Sequence, residues 1–319
     1  LIKRIWPDLQ SFREGHDERK FSSLFSYLQD ADSQLRRYNQ KFAVGTLELT
    51  IDLIQTLRAG RSQHLREILP NIEDQAMRRS LELAVRIWLM LNVNSSTIAV
   101  GPIVPNELPL DWPIDTSLDT LIEDRFMRIP DGQRTKERMK MEGTFTAAYL
   151  VNVCGIRLSW TDHLTDHLRS DPHRQVLTVY KHKICLVNHL KSGDACPIPK
   201  DVLNEALDTL NLLFPFGDPA TKRLLGKGMQ ASFYNLGVCG RDRELDLNKY
   251  EYWREEIQDL LHSFRRPPRT LKQLAFDRRN MMDWAAFWVT VMVAVLTLVS
   301  IPCNIIQVVY AVKGYHVAL

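Results

Sequence analysis

Residues 284–312 contain no Asp, Glu, Lys or Arg, an interval of about 29 residues bounded by Asp283 and Lys313. At 1.5 Å per residue a helix of that length reaches roughly 43 Å, more than the ~30 Å hydrocarbon core of a bilayer. Its first twenty or so residues hold nine Val, Leu, Ile or Phe side chains, worth roughly −3 to −5 kcal/mol of insertion free energy. Buried core helices of soluble proteins are much shorter, so the run predicts a membrane-spanning helix that meets the lipid bilayer through 284–312. Trp284 and Trp288 at one end and Tyr310 at the other suit the two interfaces. Pro302 predicts a kink or the practical end of the helix.

Composition taken over all 319 residues hides this segment. A net charge of +3, 45% hydrophobic and 25% charged residues exclude a disordered, collagen-like or disulfide-stapled chain and describe an ordinary soluble protein. Resolved by position, the charge becomes a topology. Arg265, Arg266, Arg269, Lys272, Arg278 and Arg279 precede the span and only Lys313 follows it. That asymmetry predicts a cytosolic N-terminal region, with endomembranes the favoured location. Lys3, Arg4, Arg13 and Glu14 interrupt any apolar leader, so the expected arrangement is that of a single-pass, tail-anchored protein. The six flanking cations form an anchor collar that anionic lipid attracts by about 1 kcal/mol each. Asn94-Ser95-Ser96 is a glycosylation sequon, and a glycan there would contradict the cytosolic placement.

Upstream of the span the pattern is mainly α with a few short strands, an α+β chain. It divides into a helical region over 1–98, a Pro-rich linker over 99–115, a mixed region over 116–264, a basic juxtamembrane segment over 265–283, the span, and a short non-cytosolic tail over 313–319. Ile51, Ile54 and Leu57 share a helix face that Gly60 ends, and a helix over 72–91, capped at Asn71, presents Met77, Leu81, Ala84, Val85 and Trp88. Pro102, Pro105, Pro109 and Pro113 exclude a helix and predict an extended connection. In the mixed region a helix is expected over 145–154 and strands over 156–160 and 176–180. Between the strands a Thr161-capped helix would carry Leu164 and Leu168, an order that makes this central unit winged-helix-like. Val202, Leu203, Ala206, Leu207 and Leu210 mark the next helix, and Asp218-Pro219 and Gly226 bracket another. A last amphipathic helix beginning at Asn248 carries Trp253, Ile257, Leu260, Leu261 and Phe264.

The sharpest chemical bias is histidine: His163, His167, His173, His182 and His189 are five of the nine in the chain. On a helix His163 and His167 stand one turn apart, a spacing at which two imidazoles share a zinc ion. They are the metal candidates, and they centre a reading as a membrane-tethered, metal-dependent hydrolase. The glutamate of an HExxH site is absent, since Leu164 and Thr165 fill the middle of the motif, and surface or half-buried histidines are the simpler expectation. Cys154, Cys185, Cys196, Cys239 and Cys303 form no CxxC pair and read as reduced thiols. Gly226-Lys227-Gly228 is neither a phosphate loop nor a dinucleotide fingerprint, and no GxSxG elbow or kinase signature is present. No catalytic residue and no cofactor is therefore assigned. A nucleic-acid binder is disfavoured, because Asp162 and Asp166 lie on the would-be recognition helix and residues 1–264 carry a net charge of about −2.

The run GIRLSWTDHLTDHL over 155–168, FPFGD over 214–218, YWR over 252–254 and DRRN over 277–280 lead to Phe287-Trp288 and a terminal apolar run. From about Ser117 onward this order resembles a family of uncharacterised, C-terminally membrane-anchored proteins of filamentous ascomycete fungi. The resemblance implies a fungal, cytosol-facing membrane protein and supplies no catalytic residue. His182-Lys183 stands where the family has a His-His pair. The expected function is a protein-interaction or adaptor module with an unidentified protein partner.

Overall fold

Residues 2–6, 18–69, 71, 74–94, 109–128, 139–226, 231–239, 241–265, 275 and 281–318 are described in a computed structural model of the chain. The linker through residue 108, most of the charged stretch near 131–138, and the collar residues Arg266, Arg269, Lys272, Arg278 and Arg279 lie outside the described residues.

The N-terminal region is helical, as its apolar spacing requires. Helix α1 (Ile2–Ile5) places Ile5 and the following Trp6 fully inside. Helix α2 (Ser22–Arg37) buries Leu24, Leu28, Ala31 and Leu35 along one stripe. Helix α3 (Leu47–Ala59) is capped by the Thr46 hydroxyl, which accepts from Leu49 N–H, and buries Ile51, Ile54 and Leu57. A short α4 (Leu65–Ile68) follows. Helix α5 (Gln75–Leu89) packs on α3 and begins at Asp74, whose carboxylate accepts from Met77 N–H at 2.9 Å. The cap is thus Asp74, whose carboxylate reaches an otherwise unsatisfied amide of the first turn.

Strand β1 (Val93–Asn94) pairs in parallel with β2 (Leu110–Asp111). Helix α6 (Leu118–Arg125), capped by Ser117, and α7 (Ala147–Asn152), capped by Thr146, lead into a three-stranded sheet. Its strands are β3 (Arg157–Thr161), β4 (Ser170–Asp171) and β5 (Val176–Tyr180), in the order β3-β5-β4. Strand β5 is parallel to β3, with Arg157 opposite Val176 and Thr161 opposite Tyr180, and antiparallel to β4.

The helix expected after Thr161 is absent. Thr161 ends β3, and its hydroxyl accepts from His163 N–H at 3.1 Å. A single 3-10 turn, Leu164–Asp166, follows. Leu164 N–H is drawn to Met90 O at 2.7 Å, Arg125 donates to Thr165 O at 2.7 Å, and Leu168 takes a left-handed φ of 62°. Those tethers hold the segment in an irregular path. A winged-helix arrangement with a recognition helix at this position is therefore not what the chain forms.

Helix α8 (Lys183–Lys191) packs against α9 (Lys200–Leu213), whose face of Val202, Leu203, Ala206, Leu207 and Leu210 is buried. Asp218 caps α10 (Pro219–Gly226) through Thr221 N–H at 2.7 Å. Helix α11 (Ala231–Asn235) and α12 (Arg254–Arg265) complete the folded region. Helix α12 starts later than the apolar pattern from Asn248 suggests. The Glu205 carboxylate of α9 accepts the N–H groups of Glu251, Tyr252 and Trp253 at 2.6, 2.8 and 2.8 Å, serving as a cap from another element. One buried apolar cluster, running from Ile2 to Phe264, joins the helices from α1 to α12 with strands β1 and β5.

Helix α13 (Met281–Ala318) contains 38 residues and continues through Pro302 instead of ending there. Within it, Trp284–Ala311 is long and apolar enough to cross a membrane, and none of it is buried against the rest of the protein. Thr290 and Thr297 donate their hydroxyls to the carbonyls four residues back, and Ser300 donates to Thr297 O.

Candidate functional site

Because Thr161 and Tyr180 are in register, the residues that follow β3 and β5 leave the sheet side by side at its carboxyl end. In open parallel sheets that edge is where ligands bind. Asp162 follows β3, and Lys181 and His182 follow β5, with Lys181 N–H donating to Thr161 O at 3.1 Å. His182 also precedes the first residue of α8. The first turn of α2 closes over this edge and brings Ser23, and one turn later Tyr27, against the same imidazole.

The polar contacts form a chain. Asp162 Oδ1 lies 2.6 Å from His182 Nε2, and His182 Nδ1 lies 3.0 Å from Ser23 Oγ. Lys181 Nζ reaches the same Asp162 oxygen at 2.8 Å. Burial would raise the Asp162 carboxyl, yet the His182 N–H and the Lys181 ammonium together hold it at about 2, so it is ionised at neutral pH. A carboxylate accepts only, which makes His182 Nε2 the protonated nitrogen. Burial of the fully enclosed His182 ring lowers its pKa despite Asp162, leaving the imidazole neutral. Its Nδ1 lone pair then accepts the Ser23 hydroxyl proton. Ser23 is half-buried, and the Asp162 and Lys181 side chains keep 27% and 23% exposure, so the chain of contacts runs from solvent into the core and out again.

The other central histidines have different surroundings. His167 Nδ1 accepts from Tyr180 N–H at 3.2 Å, so Nε2 carries its proton and donates to Thr209 Oγ1 at 2.7 Å; Thr209 donates in turn to Ala206 O. His189 Nδ1 accepts from Trp6 Nε1–H at 3.3 Å, and its Nε2 donates to Trp88 O at 2.9 Å. Burial pushes their pKa values down to about 3 and about 4, and that of His163 to about 4. These three are buried core residues instead of the surface or half-buried groups the sequence suggests. His173 alone among the five is exposed, in the turn after β4.

The zinc candidates His163 and His167 therefore lie at the two ends of a 3-10 turn and not on one helix face. Both ring nitrogens of His167 are already engaged, leaving no lone pair for a metal. Among the described residues no group of three or more His, Cys, Asp and Glu side chains is placed to hold a metal ion. Burial raises the thiol pKa of Cys185, and that of Cys196 to about 12, so neither is a ready thiolate.

Sequence reasoning missed Ser23, which carries no motif, and treated Asp162 and His182 as unrelated. Their link was visible only indirectly, in two five-residue strands whose ends are followed by an acid and a histidine. Searches with the chain match no family model, no curated protein and no solved structure.

Proposed function

We propose that the chain is a membrane-anchored protein whose helix α13 crosses the bilayer and holds the folded region at the cytosolic surface. The observation that carries this reading is the 28-residue stretch Trp284–Ala311, none of it buried against the protein. In water it would expose a continuous apolar surface far beyond what soluble proteins tolerate. The six cations before the span, against Lys313 after it, support the cytosolic orientation, and the collar favours anionic lipid. Trp284 and Trp288 pack edge-to-face 6.4 Å apart near one end, while Tyr310 is 71% exposed near the other, positions suited to the two interfaces.

The folded region meets its partners at that surface. An exposed aromatic step supports a protein contact: Phe216, 56% exposed, lies 5.2 Å from Tyr234, whose hydroxyl accepts from Gly217 N–H at 2.8 Å. The test is fractionation of cells expressing the whole chain, followed by alkaline carbonate. The protein is expected to stay with the membrane, its folded region open to protease added outside intact organelles and Asn94 unglycosylated. Release by carbonate overturns the anchor, and a glycan on Asn94 overturns the orientation.

A further inference from the structure

We propose that Ser23, His182 and Asp162 form an acyl-transfer centre that hydrolyses carboxylic esters. The proposal goes beyond the membrane-anchor reading and stands independently of it. Three side chains from three separate elements converge: the first turn of α2, the end of β3 and the end of β5. They do so in the order nucleophile, base, carboxylate, with separations of 3.0 and 2.6 Å. That constellation of roles defines serine hydrolases across unrelated folds. The two ring nitrogens exchange their usual duties, since Nδ1 faces the hydroxyl and Nε2 faces the carboxylate. Proton transfer requires only that one nitrogen be a free base and the other be held by an acceptor, and both conditions are met.

The contrast with the neighbouring histidines separates this group from core packing. His189 is satisfied by a tryptophan N–H and a backbone carbonyl, and His167 by a backbone N–H and a buried threonine. His182 instead joins a carboxylate to a hydroxyl, and both of these keep partial exposure. Ser23 is the second residue of α2, which continues directly from a 3-10 turn over Glu18–Phe21.

The chemistry balances with water as the only co-reactant. Ser23 Oγ attacks the ester carbonyl carbon as its proton passes to His182 Nδ1, and the carbonyl π pair moves onto oxygen. Collapse breaks the carbon–alkoxide bond, the leaving alkoxide takes the proton from Nδ1, and an acyl-Ser23 ester remains. Water then gives a proton to Nδ1 and its hydroxide to the acyl carbon; Ser23 leaves and regains the proton. Asp162 stays ionised throughout and acts as a positioning residue, keeping Nε2–H in place and stabilising the transient imidazolium. Lys181, bound to the same carboxylate oxygen, holds Asp162 in that state. The substrate class is an ester of a carboxylic acid and an alcohol, drawn either from membrane lipid or from a soluble acyl ester.

The deciding experiment treats the full chain in lipid nanodiscs with a fluorophosphonate probe and maps the modified residue by mass spectrometry. Stoichiometric label on Ser23 is expected. It disappears in Ser23→Ala and slows by about 10²–10⁴-fold in His182→Gln, the range for loss of a general base. Asp162→Asn, a second variant in case His182→Gln fails to fold, lowers the labelling rate and shifts its pH profile, which a merely structural role does not do. Turnover of phospholipid vesicles faster than p-nitrophenyl butyrate assigns the lipid source, and the reverse order assigns the soluble one. No label on Ser23 in a chain whose circular dichroism shows it folded overturns the proposal, as does a label unaffected by Ser23→Ala.

Discussion

Three neutral, buried imidazoles, His163, His167 and His189, tie the stability of the folded region to pH. Their pKa values are depressed by burial to about 4, 3 and 4, against about 6.5 in an unfolded chain. The folded state therefore binds fewer protons, so stability is fully present above about pH 6.5 and is lost as pH falls toward those values. Each pH unit below 6.5 costs roughly 1.4 kcal/mol per such histidine. Thermal melts from pH 7.5 to pH 5.5 are expected to show a falling Tm, and a flat profile would contradict the burial. The buried Glu205, raised by burial to about 7, works in the opposite sense and offsets part of the loss. These roles were only partly legible in the sequence. A spacing of four between His163 and His167 is compatible with a helix face, but the chain breaks there, because Leu164 N–H is taken by Met90 O across the fold. Distant hydrogen bonds of that kind leave no local signature, and the Ser23–His182 contact spans 159 positions.

Helices and strands with a strong apolar period were readable. The faces of α9 and α12 and the alternation of β5 follow directly from residue spacing, as does the start at Pro219. Strand partners were not readable, since the parallel pairing of β3 with β5 depends on what the intervening segment does. Glu205 shows how one element fixes the start of another. Glu205→Ala removes the acceptor of three amides at the head of α12 and is expected to cost about 3 kcal/mol in chemical denaturation. Glu205→Gln, which keeps one acceptor oxygen, should fall between. The turn from β4 to β5 gives the reverse effect. Gln175 is exposed and sits at φ 52°, while its carbonyl accepts from Arg157 N–H. Gln175→Gly relieves the left-handed strain at some cost in chain entropy and is expected to stabilise by about 0.5 kcal/mol.

For the whole molecule, the longest charge-free interval of the sequence and the longest helix of the structure coincide. This was the most legible feature, because crossing a bilayer needs only length and apolarity, both local properties. A single central charge tests it: Leu296→Arg adds about 2.5–3.5 kcal/mol to an insertion free energy of roughly −3 to −5 kcal/mol. Carbonate treatment should then release a substantial fraction of the variant, where the parent chain stays in the pellet. Helix α13 has a further consequence. Thr290, Thr297 and Ser300 already donate to their own helix, whereas Asn304 and Gln307, three positions apart, are exposed among apolar neighbours. In a bilayer the apolar length of such a helix sets its depth, and the two amide side chains mark one of its faces. The folded region drifts laterally with its anchor, so its encounters at the surface are sampled by diffusion in two dimensions instead of three.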